Sequence, residues 1–442
     1  RRRDRYFYSY GSEYTEDANG FDPEDTNGFD SEDTNGFDSE DTNGFDSEDT
    51  NGFDFEQTTE SLTYLKNNLE LRNLETNKLI DELAFKSLIK EEVSYFINRS
   101  FDNIIVLAGA GSSVVSIGSG IDKQYGRTVS DLTGEINKAL LDNASSLITL
   151  ASQINCHYDL NFDFDHSVKI NFEDFLSDLI AYEKYVPENK KKSYIESKEI
   201  VFKTIKDATI YNYNHEKHKH AGFIRTLANK VKSPNKLTIV TTNYDTLFEE
   251  AAADINYTVM DGFTFSSEPE FDSDMFDWNL IRDIENIKTK EHEYKRNILN
   301  LLKIHGSLTW EKSGSKIYRK DKNKIDNPIM IFPSSNKYMQ SYQEPYFELF
   351  TKFQEYLKKP NTLLITCGFS FQDNHIFKMI MRAIKHNKGL YTLVTDIDIE
   401  QNTANWKQLE KLIEDKYQIA FLKASMNDDL IDYLGECNND SR

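Results

Sequence analysis

Apolar residues cluster along the chain in two distinct rhythms. Near-continuous apolar runs of strand length occur at Asn103–Ala108, Leu237–Thr241, 301–305, Thr362–Cys367, 391–395 and 419–422. Such runs suit strands buried on both faces, as in a parallel sheet. Between them the apolar residues recur at helical spacing, notably around 172–182, 216–231, 244–253, 346–358 and 373–385. Strand and helix in alternation predict an α/β fold with a doubly wound, mostly parallel, Rossmann-like sheet. Residues 130–231 are helical in pattern almost throughout, and a helical insert over one end of the sheet is expected there. Residues 261–300 are acidic and irregular and read as a long loop. Upstream, Leu62, Leu65, Leu69, Leu79, Leu83 and Ile97 fall near helical spacing. Residues 58–99 are therefore expected to form a helical arm that packs on the core. Residues 100–425 form the main body, and 426–442 a C-terminal tail.

Charge separates the first segment from the rest. The 442 residues carry a formal net charge of -22, of which residues 1–60 hold 19 acids against 4 bases. Here an octapeptide repeats, Thr-Asn-Gly-Phe-Asp-Ser-Glu-Asp, with glycines at 20, 28, 36, 44 and 52. One aromatic against three acids in each unit is too little apolar surface to offset the entropy of ordering. Residues 1–57 are accordingly expected to be a disordered acidic tail. A calcium loop is the sharper alternative, since Asp33, Asn35 and Gly36 match its third, fifth and sixth positions. Ser31 and Thr42 replace the acids it needs at the first and twelfth. Neither part of the chain has the concentrated basic surface of a nucleic-acid binder, and no apolar run approaches the length of a membrane span. Cys156, Cys367 and Cys437 lie far apart, which argues against a disulfide framework or a cysteine metal site and fits a reducing cytoplasm.

Candidate chemistry sits where strands end. The run Ile104-Ile105-Val106-Leu107-Ala108 enters Gly109-Ala110-Gly111-Ser112-Ser113. A Gly-x-Gly turn leading into a helix lets backbone N–H groups approach a phosphate. The third glycine of a dinucleotide fingerprint is missing, and a glycine turn that only packs helix on strand reads equally well. Next, Thr241-Thr242-Asn243-Tyr244-Asp245 closes a strand, where ligands of open α/β sheets bind. Asn243 or Asp245 could equally cap the following helix. His305 in Ile304-His305-Gly306-Ser307 is placed for proton transfer. A fourth strand runs into Cys367-Gly368-Phe369-Ser370, and a fifth ends at Asp396, an acid able to accept ribose hydroxyls. The stretch His215-Glu216-Lys217-His218-Lys219-His220 lacks metal-ligand spacing and reads as a solvated helix start. Cys156, His157 and His166 read as structural, so no metal is expected.

Taken together and in this order, the four motifs resemble the sirtuin superfamily, in particular its bacterial NAD-hydrolysing branch of antiphage defence. The similarity spans roughly residues 100–425, and Asn171-Phe172-Glu173-Asp174-Phe175-Leu176 is similar to a helical signature of that branch. The resemblance implies that Gly109, Ala110, Gly111 and Ser113 hold phosphate, with Thr242 also on the nucleotide. It implies that Asn243 holds the nicotinamide-side ribose and a water, that Asp245 contacts the carboxamide, and that His305 is catalytic. Gly368 and Ser370 match the adenosine side, and Asp396 is a looser match for an adenosine ribose contact. Thr242 stands where deacetylases have Gln, the Gly-Ile-Pro-Asp-Phe-Arg segment is absent after Ser113, and there is no four-cysteine zinc module. These departures point away from an acyl-lysine acceptor and toward water.

The resulting expectation is a cytoplasmic NAD⁺ glycohydrolase that uses NAD as substrate, needs no metal and is kept quiet until assembly triggers it. The resemblance implies a homo-oligomer and, as candidate partner, a HerA-type hexameric ATPase. Two other classes stay open on sequence. One is a non-catalytic NAD or ADP-ribose sensor, and the other is a protein deacylase.

Overall fold

The structure is a computed structural model that describes residues 71–72, 79–80, 82–118, 120–143, 179–180, 183–284, 292–330, 345–399 and 401–435. The acidic repeats, Cys437 and all of 144–178, with Cys156, His157, His166 and the 171–176 signature, lie outside the described residues. The chain divides into two compact units, of which the smaller contributes one described feature, an antiparallel pairing of Leu71–Arg72 with Leu79–Ile80. A helix was expected across this stretch. The intervening sequence holds Asn73 and Asn77, weak helix formers that favour turns.

The larger unit is an α/β fold built on one seven-stranded sheet. Its strands are β1 (Asn103–Ala108), β2 (Leu237–Thr241), β3 (Thr258–Met260), β4 (Ile298–Lys303), β5 (Thr362–Cys367), β6 (Leu390–Asp396) and β7 (Ile419–Lys423). The spatial order is β7-β6-β5-β1-β2-β4-β3, and every pairing is parallel. From central β1 the chain winds outward to β2 on one side, then returns to build β5, β6 and β7 on the other. The crevice where the winding reverses is where open α/β sheets bind ligands, at the carboxyl ends of the strands.

Both faces of the sheet are covered. Ile105, Leu107, Val240, Leu302, Leu364 and Val394 alternate onto one face, against helices α6 (Tyr346–Lys358), α7 (Asn374–His386) and α8 (Ala404–Glu414). Helix α6 buries Leu349, Phe353 and Leu357, and α7 buries Ile376, Ile380 and Ile384. This is the three-to-four spacing of an amphipathic helix. Ile104, Val106, Leu363 and Ile365 point the other way and are buried too. The remaining described helices are α1 (Glu82–Ile97), α2 (Val129–Asp142), α3 (Glu188–Thr209), α4 (His220–Ala228), α5 (Leu247–Asp254) and α9 (Leu430–Leu434). Helices α2 and α3 share a separate apolar cluster, Leu132, Ile136, Leu140, Val201 and Ile205, which reaches Tyr244 and Leu308 beside the strand ends.

Several local expectations need correction. No long helix follows Gly111; Ala110–Ser112 form a single 3₁₀ turn, and a small hairpin of Ser116–Ile117 with Gly120–Ile121 comes next. The β-branched Val114 and Val115, and then Gly118 and Gly120, disfavour helix there. The expected loop at 261–300 contains a 3₁₀ turn at Ser273–Asp277 and a hairpin of Ile281–Asp283 with His292–Tyr294, and β4 begins inside it at Ile298. The expected C-terminal tail contains α9, whose Leu430, Tyr433 and Leu434 are buried. Of the expected solvated histidines at the start of α4, His215 is exposed but the other two are not. His218 and His220 are both buried, and the His218 ring joins the Asn214 N–H at 3.1 Å and the Tyr125 carbonyl at 2.9 Å.

Candidate active site

The loop after β1 and the loop after β5 touch backbone to backbone. The Gly109 N–H donates to the Cys367 carbonyl and the Gly111 N–H to the Gly368 carbonyl, each at 3.0 Å. A Cβ on Gly109 would lie 2.6 Å from the Gly368 oxygen, and one on Gly111 would lie 2.8 Å from Gly368 Cα. Gly368 itself has φ +56, and a Cβ there would meet the Gly111 carbonyl carbon at 2.4 Å. The glycines therefore serve the close approach of two strand ends as well as any ligand. Asn427, just after β7, clamps the same loop by donating to the carbonyls of Ser112 at 3.2 Å and Val114 at 2.8 Å.

From the end of β2, Asn243 reaches across to this loop. Its Nδ2 donates toward Gly109 O at 3.0 Å, Ser112 Oγ at 3.1 Å and Ser113 Oγ at 3.0 Å. The amide nitrogen is thus spent on the protein, and Oδ1 is left as an acceptor. Ser113 passes its own proton to Asp245 Oδ2 at 2.7 Å, while Asp245 Oδ1 accepts from the Leu247 N–H at 3.1 Å. Asp245, one residue ahead of the N-cap Thr246, therefore also takes up the first N–H of α5. Behind it, buried Lys303 at the end of β4 holds the carbonyls of Tyr244 and Asp245 and pairs with Glu249 at 3.0 Å. The segment 241–245 is fixed by strand-end contacts on both sides.

His305 follows β4 by two residues. Gly306, at φ +91, lets the chain turn at once into a short pairing with 329–330, where a Cβ would come within 2.1 Å of the Ile329 carbonyl oxygen. The imidazole is 1 % exposed, and its Nε2 lies 3.2 Å from Asp373 Oδ2. Asp373 is the N-cap of α7, its Oδ1 accepting from the N–H groups of His375 and Ile376. Burial opposes ionisation of Asp373, but the His305 bond and charge and these two N–H groups outweigh it and hold the carboxyl below its ordinary range.

A cavity of about 600 Å³ opens over these strand ends, a size suited to a small-molecule or cofactor site. Gly109, Ala110, Gly111, Ser113, Thr242, Asn243, Asp245, His305, Gly368, Ser370 and Asp396 all line it. So do residues that the sequence reading passed over. Arg127 is the one Lys or Arg among the described lining residues; it donates to the Ala208 carbonyl at 2.7 Å, and its buried Nε has no partner among the described residues. Tyr211 is kept protonated by burial and then by the charge of Asp245. At the far end, burial raises Asp396 to about 6, outweighing the backbone N–H groups of Asp398 and Ile397 that favour its ionised form. Asp373 was visible as the acid after Ser370, three residues before an apolar helical run, but its pairing with His305 depends on the crossover from β4 to β5. Among the described residues no group of three His, Cys, Asp or Glu side chains is placed to hold a metal, and no helix is long and apolar enough to cross a membrane.

With this geometry in place, comparison with protein families becomes informative. Residues 237–422 match the family model described as SIR2-like domain, less than half of the chain. The match takes in 241–245, 304–307, 368–370 and Asp396 but not the loop after β1. It supports placing this stretch with the sirtuin-like superfamily, whose members are in general NAD-dependent enzymes. A search of curated proteins finds no match to the chain.

Proposed function

We propose that the protein cleaves NAD⁺ at the nicotinamide–ribose bond, with water as acceptor, giving nicotinamide and ADP-ribose. One observation carries this reading. Asn243, whose Nδ2 is spent on the protein and whose Oδ1 is left to accept, and His305, whose Nε2 meets Asp373 and whose buried Nδ1 has no partner among the described residues, line the same cavity. Loss of nicotinamide leaves an oxocarbenium-like ribosyl centre that water attacks. Asn243 would hold the ribose and the water, and His305 would take a proton, directly or through a ribose hydroxyl. Asp245, steadied by Ser113, would align the carboxamide of the leaving group. Fixed groups in a site walled off from bulk water are large terms in catalysis.

On this reading the substrate would lie across the strand ends. From the end of β2 to the end of β6 is three strand spacings of roughly 4.8 Å, or about 14 Å. That span suits a dinucleotide lying from Asn243 to Asp396, with its phosphates over Gly109, Ala110 and Gly111 and its adenosine near Gly368 and Ser370. The backbone N–H groups of Gly109 and Gly111 are spent on the carbonyls of Cys367 and Gly368. Those of Ser112 and Ser113 go to the Gly109 and Ala110 carbonyls, so phosphate recognition would fall to the Ala110 N–H and to Arg127.

The experiment is nicotinamide release from NAD⁺ without peptide, comparing wild type with Asn243→Ala and His305→Ala. Release that both substitutions abolish supports hydrolysis. Undiminished turnover in either variant sinks the assignment. Tight nucleotide binding without release would favour a sensor, and dependence on an acyl-lysine peptide a deacylase. A role in antiphage defence in the cytoplasm, with activity gated by homo-oligomerisation or by a HerA-type ATPase, belongs to the same proposal and rests on the resemblance. Equal turnover by the chain alone at all concentrations, unchanged by such a partner, would remove the gating.

A further inference from the structure

The two oxygens of Asp373 do different jobs. Oδ1 caps α7 through the His375 and Ile376 N–H groups, at 2.8 and 3.1 Å. Oδ2 faces His305 Nε2 at 3.2 Å. A helix cap needs one oxygen and no imidazole, so capping alone leaves the second contact unexplained. The pair is buried on both sides, the side chains being 1 % and 4 % exposed. Tyr346 packs nearby, and burial, then the Asp373 charge, keeps its phenol protonated. An ionised carboxylate only accepts hydrogen bonds, so the shared proton must sit on Nε2. In neutral imidazole the other nitrogen then carries the lone pair. That nitrogen, Nδ1, is buried and has no partner among the described residues.

We infer that Asp373 is a positioning residue that fixes His305 as the Nε2–H tautomer, so that Nδ1 is the atom that takes the proton in the cavity. Its chemistry rests on the NAD⁺-cleaving reading. As the bond from ribose C1′ to the nicotinamide ring nitrogen breaks, the electron pair leaves with nicotinamide. The water oxygen bonds to C1′ and loses a proton, which Nδ1 accepts, and Asp373 steadies the imidazolium so formed without itself taking a proton. This divides the acceptors of the site between two strands. Asn243 Oδ1 on the β2 side orients, and His305 Nδ1 on the β4 side receives.

The test separates the tautomer from turnover. In ¹⁵N-histidine-labelled full-length protein, with His305→Ala assigning the signals, Nε2 of His305 should resonate as a pyrrole-type nitrogen and Nδ1 as a pyridine-type one. Asp373→Asn keeps an oxygen for the helix cap but presents N–H to Nε2. It should reverse the two signals and lower kcat by about 10²–10⁴-fold, the range for loss of a positioned base or its correct tautomer, with KM for NAD⁺ little changed. Asp373→Ser retains a capping oxygen too short to reach the ring. It should keep the melting temperature close to that of Asp373→Asn and lose kcat as well. A pyridine-type Nε2 in the wild type overturns the inference, and so does an Asp373→Asn enzyme with wild-type kcat. Loss of kcat only in proportion to loss of melting temperature would also overturn it, by reducing Asp373 to a cap. If the wild type releases no nicotinamide, the hydrolase reading falls, while the nitrogen signals still decide the tautomer.

Discussion

Replacing Asp396 with Asn should stabilise the protein while weakening its hold on nucleotide. Burial at the end of β6 raises this carboxyl from its usual 3.8 to about 6. One unit of pKa is worth about 1.4 kcal/mol, so the ionised form carries a penalty of at most about 3 kcal/mol in the folded state. The sign follows from proton counting. Between the unfolded and folded values the native chain binds more protons than the unfolded one, so stability falls as pH rises through this window. Above about pH 6 the penalty is complete; below about pH 4 both states are protonated and it vanishes. Asn removes the charge and keeps an oxygen for the Asp398 N–H, which Asp396 Oδ1 now accepts at 3.0 Å. Urea denaturation should therefore show the Asn variant more stable by about 1–3 kcal/mol near neutral pH, with the gain shrinking toward zero as pH approaches about 4. On the proposed orientation the same carboxylate accepts the adenosine ribose hydroxyls and repels a 2′-phosphate. The variant should then bind NAD⁺ less tightly and discriminate less against NADP⁺. A variant less stable than wild type at neutral pH, or a gain that does not change with pH, would refute the reasoning.

Other perturbations follow from the same contacts. Gly368→Ala puts a Cβ against the Gly111 backbone in a left-handed conformation, so a loss of at least about 1–3 kcal/mol is expected in denaturation, together with loss of nucleotide binding. Arg127→Gln removes the one Lys or Arg among the described lining residues; calorimetry should show NAD⁺ affinity down by about tenfold or more, as for a lost charge-assisted hydrogen bond. Lys303→Met takes away the ties to the Tyr244 and Asp245 carbonyls and strands Glu249, whose side chain is 26 % exposed. That partial exposure reduces the cost of an unpaired buried charge to about 1–3 kcal/mol, which a cycle with Glu249→Gln should apportion.

The buried strands were the legible part of the fold. β1, β2 and β5 stand out as five- or six-residue apolar runs with the limits the structure gives them, because a strand covered on both faces admits few polar residues. Helices α6 and α7 announced themselves through strong apolar periodicity. Edge strand β3 escaped notice, since three residues at the sheet margin, two of them half-buried, leave no run. The hairpin at 281–294 and a second one, Trp310–Ser313 paired antiparallel with Lys316–Arg319, were equally silent, being short, largely exposed and polar. Within the site, residues at strand ends could be read because strand ends are where such sheets bind ligands. Partners that arrive from elsewhere could not be read. Arg127 comes from the turn before α2, Tyr211 from the turn after α3, and Asn427 from beyond β7. The pairing of His305 with Asp373 joins residues 68 positions apart, which no local spacing encodes.

The most direct measurement is product analysis after incubation of the purified chain with NAD⁺ in H₂¹⁸O, without peptide, beside His305→Ala. Equimolar nicotinamide and ADP-ribose, with ¹⁸O on the ribose C1′ and neither product from the variant, is the expected result. NAD⁺ that stays intact while bound, or cleavage that proceeds equally well without His305, would contradict the account.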